Sequence, residues 1–176
     1  MYKIYSQILL ILVFCSCSKQ QKEEAVTIES SKNALFQEIS ASQSHVQFQN
    51  KVEETLYFNF LNYSYIYNGG GVAIGDINND GLEDIYFSSN QGSNALYLNK
   101  GNFVFEDITT KAGVADESGW STGVSIVDIN TDGWLDIYVC KAGALKNGEQ
   151  RKNKLYINQK DGTFLEQADQ YGIASR

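Results

Sequence analysis

Two stretches of the chain decide its fold: Asp76-Ile77-Asn78-Asn79-Asp80-Gly81-Leu82-Glu83-Asp84-Ile85-Tyr86-Phe87 and Asp128-Ile129-Asn130-Thr131-Asp132-Gly133-Trp134-Leu135-Asp136-Ile137-Tyr138-Val139. Both read D-x-N-x-D-G-x-x-D and then run into β-forming residues. Positions 1, 3 and 5 put oxygen side chains on the inside of a curl. Gly at position 6 permits the sharp turn. Position 7 (Leu82 or Trp134) can turn a backbone carbonyl inward, and Asp at position 9 closes the shell. Ca²⁺ takes about six to eight oxygens, from a loop that wraps it. A bare turn explains one Asn and one Gly. It does not explain four oxygen side chains at one spacing, twice. The three carboxylates of each loop would repel one another without a dication between them. An EF-hand is excluded, because position 12 is Phe87 or Val139 where that motif needs an acidic ligand. The expected ligands are Asp76, Asn78, Asp80, the Leu82 carbonyl and Asp84 for one Ca²⁺. For a second they are Asp128, Asn130, Asp132, the Trp134 carbonyl and Asp136.

The two loops belong to a longer repeat. Residues 70–87 align with 122–139 at an offset of 52. Leu96-Tyr97-Leu98-Asn99 then matches Leu155-Tyr156-Ile157-Asn158 at an offset of 59, and Phe105 matches Phe164. The extra residues of the second repeat fall within 141–153, a stretch rich in Gly, Lys and Asn that reads as a lengthened surface loop. Repeats of this length point to propellers or arrays. Each repeat has four short β runs, expected near 72–76, 84–89, 95–99 and 103–107, then near 123–128, 136–140, 154–158 and 163–167. Four antiparallel strands joined by tight turns make one propeller blade. The predicted fold is all-β: a partial β-propeller of two four-stranded antiparallel blades, each with a calcium-binding hairpin loop. The one helical turn expected in the repeats is Thr109 to Ala112.

With these residues in hand, the chain resembles the FG-GAP/VCBS repeat family, whose β-propeller repeats also form integrin α-subunit heads. Within it, the chain is most similar to bacterial members related to cartilage acidic protein and the ASPIC/UnbV proteins. The residues that carry this are Tyr65-Ile66-Tyr67-Asn68-Gly69-Gly70-Gly71-Val72-Ala73-Ile74-Gly75-Asp76 and Gly119-Trp120-Ser121-Thr122-Gly123-Val124, besides the loops. The resemblance implies the same ten calcium ligands and closed propellers of about seven blades. Two repeats are fewer than that, so the chain is expected to be an N-terminal piece of a longer protein. Its partners would then include the remaining blades. The rival expectation is a short form that self-assembles.

Ahead of the repeats, the apolar run Ile8 to Phe14 is too short to span a bilayer as a helix and suits the core of a signal peptide. Ser16-Cys17 directly after it resembles the lipobox of bacterial lipoproteins, with Cys17 a better acceptor than Cys15, which follows bulky Phe14. Lys22-Glu23-Glu24 resembles the short charged export signal of bacterial surface lipoproteins. The chain divides accordingly into a lipoprotein signal peptide (1–16), a flexible tether (17–33), a lead-in segment that packs on the propeller (34–68), repeat one (69–119) and repeat two (120–176). The expected location is the outer membrane, with the lipid as the only membrane contact and the repeats at the cell surface. Processing at Cys17 would leave Cys140 as the single thiol of the mature fold, so no internal disulfide can form. Cys140 is expected to be a buried small hydrophobe.

Composition narrows the function. The net charge of −7 repels phosphate backbones, which disfavours a nucleic-acid partner. A single histidine, His45 in a polar stretch, removes most His-based catalysis and reads as a surface residue. The aromatic run Leu56 to Tyr67 is expected to pack between blades. Lys141, Lys146, Arg151, Lys152 and Lys154 are expected to solubilise the long loop. No nucleophile–base pair stands out, and the acidic clusters are already used as ligands. The reading is a non-enzymatic, calcium-binding surface module for a protein or glycan ligand. The alternative is an accessory or truncated domain of a larger surface enzyme or glycan-processing protein.

Overall fold

The structure is a computed structural model that describes residues 35–117, 119–143 and 148–174. The chain divides into a unit of residues 1–37, of which 35–37 are described, and a unit of residues 38–176. The signal peptide, Cys17 and most of the tether lie outside the described residues.

Two antiparallel sheets make up the second unit. The first is β1 (Val72–Gly75), β2 (Asp84–Phe87), β3 (Ala95–Asn99) and β4 (Phe105–Asp107). The second is β5 (Trp120–Val127), β6 (Asp136–Ala142), β7 (Lys154–Asn158) and β8 (Phe164–Glu166). Strand order in each follows the chain, β1-β2-β3-β4 and β5-β6-β7-β8, as in the blade of a propeller. Register repeats as well: Gly75 pairs with Asp84 and Val127 with Asp136, so both D-x-N-x-D-G-x-x-D segments are the hairpins joining a blade's first two strands. The helical turn α2 (Thr109–Ala112) follows β4, and Gly113 in the left-handed region ends it. A short helix missing from the sequence reading, α1 (Ala41–Ser44), starts where Ser40 accepts the Gln43 N–H. β5 begins three residues before the expected start, because a register shift between Ser121 and Val124 lets Trp120 and Ser121 pair with Ala142 and Lys141.

Side chains alternate across each sheet, and the main core lies between the two blades. Ile77, Tyr86, Leu96, Ile108, Ala112 and Val114 of repeat one meet Ile137, Val139, Tyr156 and Phe164 of repeat two. Val124 and Ile126 of β5 pack against that cluster. At Gly75 the two blades approach closely. A Cβ there would lie 2.8 Å from Ile126 Cγ2 and 3.0 Å from Leu135 Cδ1. Two smaller clusters flank the junction. On the free face of blade one, Val46 and Phe48 of the lead-in pack on Ala95, Tyr97 and Phe105, with Phe48 stacked on Phe87 at 4.8 Å. On the far face of blade two, Ile173 and Ala174 pack against Leu155, Ile157 and Ala168.

Three expectations are corrected. The aromatic run packs only in part. Ile66 is buried, and Phe58 and Tyr63 contact Trp120 edge-on, whereas Leu56, Tyr57, Phe60, Leu61, Tyr65 and Tyr67 are exposed. Side-chain bonds from Asn59, Asn62 and Glu54 to the local backbone hold that loop in a shape that turns those six residues outward. Cys140 is half-buried, since it faces away from the main core on β6. Lys141 is not a solvated loop residue. It is buried on β6, where its ammonium donates to the Asp116 carboxylate of the inter-repeat connection.

Candidate metal centre

The two hairpin loops have the same backbone. Position 4 is left-handed in both (Asn79 and Thr131, each φ 59°), and so is position 6 (Gly81 φ 83°, Gly133 φ 84°). No atom lies within 4 Å of where a Cβ would stand on either glycine, so conformation and not space selects Gly there.

Side-chain oxygens fill the inside of each curl. In the first loop the Asp80 N–H is shared by Asp76 Oδ1 at 3.1 Å and Asn78 Oδ1 at 3.2 Å. Gly81 N–H donates to Asp76 Oδ2 at 2.8 Å, and Leu82 N–H to Asp80 Oδ1 at 2.8 Å. Asn78 Nδ2 donates to Asp80 Oδ2 at 2.9 Å, which brings positions 3 and 5 together. The second loop repeats all five contacts. Asp132 N–H lies 3.0 Å from both Asp128 Oδ1 and Asn130 Oδ1. Gly133 N–H is 2.9 Å from Asp128 Oδ2, Trp134 N–H is 2.9 Å from Asp132 Oδ1, and Asn130 Nδ2 is 3.2 Å from Asp132 Oδ2.

Position 9 reaches the loop from the sheet side. Asp84 starts β2 and is fully buried; its Oδ2 accepts Ile77 N–H at 3.0 Å and its Oδ1 accepts Asn99 N–H at 2.7 Å. Asp136 does the same with Ile129 N–H at 3.1 Å and Asn158 N–H at 2.8 Å. Burial pushes both carboxyls above the usual carboxylate range. Their amide donors oppose this, and the charges of Asp80 and Asp76, or of Asp132 and Asp128, add to it. One electrostatic difference separates the loops. Lys160 Nζ stands 3.3 Å from Asp132 Oδ2, and burial of that carboxyl is outweighed by the Trp134 N–H and by Lys160, which hold it below its ordinary value.

Among the described residues, no three His, Cys, Asp or Glu side chains gather into a ready-made metal cluster. Loop amides offset part of the carboxylate repulsion that the sequence reading assigned wholly to a cation. The donor set itself suits a hard cation: oxygens only, with positions 1, 3 and 5 turned into one curl and position 9 within electrostatic reach. Leu82 and Trp134 take part through their N–H groups. Sequence reasoning missed the contacts that join the two loops. Asn79 Nδ2 donates to the Gly133 carbonyl at 3.1 Å, and Asn158 Nδ2 to the Ile77 carbonyl at 2.7 Å and the Leu135 carbonyl at 3.1 Å. The recurrence of L-Y-x-N in both repeats was the available signal for Asn158.

Meander blades with this hairpin loop define a class, the β-propeller repeat proteins. Residues 76–139 match the FG-GAP-like repeat family. Cartilage acidic protein 1 from Xenopus tropicalis is 42% identical over 72 residues, 40% of this chain and 11% of that protein. The Homo sapiens protein of that name is 39% identical over 72 residues, with the same coverage. Integrin alpha-8 from Gallus gallus is 34% identical over 105 residues, 52% of this chain and 10% of the integrin. The matches thus span about a tenth of the length of these relatives.

Proposed function

We propose that the chain is a calcium-stabilised FG-GAP module that binds or adheres at the cell surface and catalyses no reaction. The observation that carries this is the pair of loops, alike in backbone and in five within-curl hydrogen bonds, whose inward groups are hard oxygens and amides. A bound Ca²⁺ would be held by Asp76, Asn78, Asp80, the Leu82 carbonyl and Asp84, and a second by Asp128, Asn130, Asp132, the Trp134 carbonyl and Asp136. It would neutralise the carboxylates and fix the first turn of each blade. Similarity to cartilage acidic protein 1 and to an integrin α-subunit supports binding over catalysis. The ligand is a protein or a glycan, and further blades of a longer protein are the other expected partners.

Calorimetric titration tests the metal reading. Two Ca²⁺ per chain are expected, with Asp80→Ala losing one and Asp132→Ala the other. A stoichiometry unchanged in both variants would sink the ligand assignment. Because Ca²⁺ binds the folded state, stability should rise by about 2.7 kcal/mol at one hundred times Kd. Chelator should remove that gain. Mg²⁺ should restore it poorly, since it demands a tight octahedron.

The export route is a separate part of the proposal. Cys17 carries the lipid, after cleavage behind Ser16, and anchors the module at the outer membrane facing outward. Metabolic palmitate labelling checks it: Cys17→Ser should lose the label. Label retained on that variant would move the anchor to Cys15, and no label on either form would end the lipoprotein reading.

A further inference from the structure

The ninth-position carboxylates of the two loops are joined by an unbroken buried path. Asp84 Oδ2 accepts the Ile77 N–H at 3.0 Å. The Ile77 carbonyl accepts from Asn158 Nδ2 at 2.7 Å. The Asn158 N–H donates to Asp136 Oδ1 at 2.8 Å. Asp84 and Asp136 are 0% exposed, Ile77 3% and Asn158 4%, so water does not compete along this path. The Ile77 carbonyl belongs to the peptide group that leads into Asn78, a third-position oxygen of the first loop. Asn158 also holds the Leu135 carbonyl at 3.1 Å, just before Asp136 in the second loop. One side-chain amide therefore grips the backbone of both loops. A second link runs above it, from Asn79 Nδ2 to the Gly133 carbonyl at 3.1 Å.

We propose that Asn158 is a positioning residue that couples the two loops, so that filling one with a divalent cation raises the affinity of the other. The physical reason is shared ordering. A cation in the second loop draws Asp136 and the Leu135 peptide into a fixed place, and with them Asn158. Asn158 then fixes the Ile77 peptide and, through Ile77, the Asp84 carboxylate. The first loop binds with less left to order. Linkage makes the effect mutual, so the first loop must favour the second by the same factor. Asn79 adds to it from the solvent side.

The molecule supplies its own control. Asn99 is the counterpart of Asn158 in repeat one. Its N–H donates to Asp84 Oδ1 at 2.7 Å and its Nδ2 to the Glu83 carbonyl at 2.8 Å. Both contacts stay within its own blade. Asn99 thus has the local half of the role of Asn158, and Asn158 alone has the half that crosses between blades.

The proposal rests on the calcium reading, and the test separates the two. The affinity of the second loop for Ca²⁺ is measured by calorimetry on the full chain, with the first loop intact and with it disabled by Asp80→Ala. The ratio of the two affinities is the coupling, expected at about tenfold, within the usual range for linked sites. Asn158→Ala should bring the ratio close to one while both loops still bind. Asn99→Ala should weaken the first loop and leave the ratio above five. Asn158 is buried, so its variant could fail to fold. Asn79→Thr then provides the reading, because Thr131 already holds the same φ in the second loop; it should reduce the ratio at least twofold. No Ca²⁺ uptake by the wild-type chain would overturn the calcium reading and this proposal with it. Two ions bound with a ratio of one would overturn the coupling alone. A wild-type ratio that survives in both Asn158→Ala and Asn79→Thr would overturn the assignment to these residues.

Discussion

The first and second D-x-N-x-D-G-x-x-D loops share their turn geometry and differ most in what surrounds them. Ile77, at position 2 of the first loop, is 3% exposed because blade two covers it; Ile129, at position 2 of the second, is 37% exposed. Gly75 precedes the first loop where the blades approach closely, whereas Val127 precedes the second and stands 41% exposed. Asn79 reaches across to the other loop, and its counterpart Thr131 bonds its own neighbour, the Asn130 carbonyl. Lys160 leans on Asp132, while Gly101 takes the corresponding place in repeat one. The turn geometry is therefore a property of the motif. Its environment is a property of the junction. The inner-strand pair makes the same point from the other side. Val124 and Ile126 pack into the junction, and their counterparts Val72 and Ile74 are 58% and 62% exposed on the free face of blade one.

Substitutions at paired positions can break this contrast. The largest difference is expected at position 2. Ile77→Ala should cost about 2–5 kcal/mol, as for an aliphatic residue cut out of a packed core. Ile129→Ala should cost less than about 1 kcal/mol, since much of that side chain is already wet. Denaturant melts of both variants check it, and equal costs would mean that the junction does not carry the stability assigned to it. Next comes Gly75→Val, which gives blade one the residue of blade two. Overpacking against Ile126 and Leu135 should cost about 1–3 kcal/mol. The reverse change, Val127→Gly, should cost about 0.5–1 kcal/mol, from strand entropy. The smallest effect belongs to Lys160→Ala. Lys160 and Asp132 are both partly solvated, so the pair adds little to stability. Removing the competing ammonium should raise Ca²⁺ affinity at the second loop about two- to threefold and leave the first unchanged. A fall in affinity at the second loop would show that Lys160 supports the loop instead of opposing the ion.

Most of the architecture was legible because it is local. The strands fall within a few residues of their expected places, and the turn Thr109–Ala112 appears as expected. Alternation, Gly positions and the repeat itself are enough to specify hairpins joined in sequence. What was not legible depends on the second blade lying against the first. Lys141 looks like one more loop lysine until β6 carries it beneath Asp116. Cys140 looks like core until the alternation of β6 turns it to the other face. The aromatic run looks like filler for an interface, yet Asn59 and Glu54 bind its backbone and turn half of it out to solvent. For the candidate site, spacing picked out the oxygen side chains that the structure turns into each curl. The amide bonds between loops could not be read from spacing, because they depend on the docking of two blades.

The meander order of the sheets also bears on how fast the chain can fold. Within a blade every strand pairs with its neighbour in sequence, so each blade closes through short loops at small entropic cost. The contacts that join the blades are of another kind: the bond from Asn158 to Ile77 spans 81 residues. Contact order is therefore low within a blade and high between blades, and low contact order goes with rapid folding. Blade one can finish its hydrogen bonding while the second is still being synthesised. Its inner face, with Tyr86 and Leu96, then stays bare until β6 and β7 arrive to cover it. The slow step and the interval of greatest aggregation risk fall together at the docking of the blades, after the sheets themselves are made.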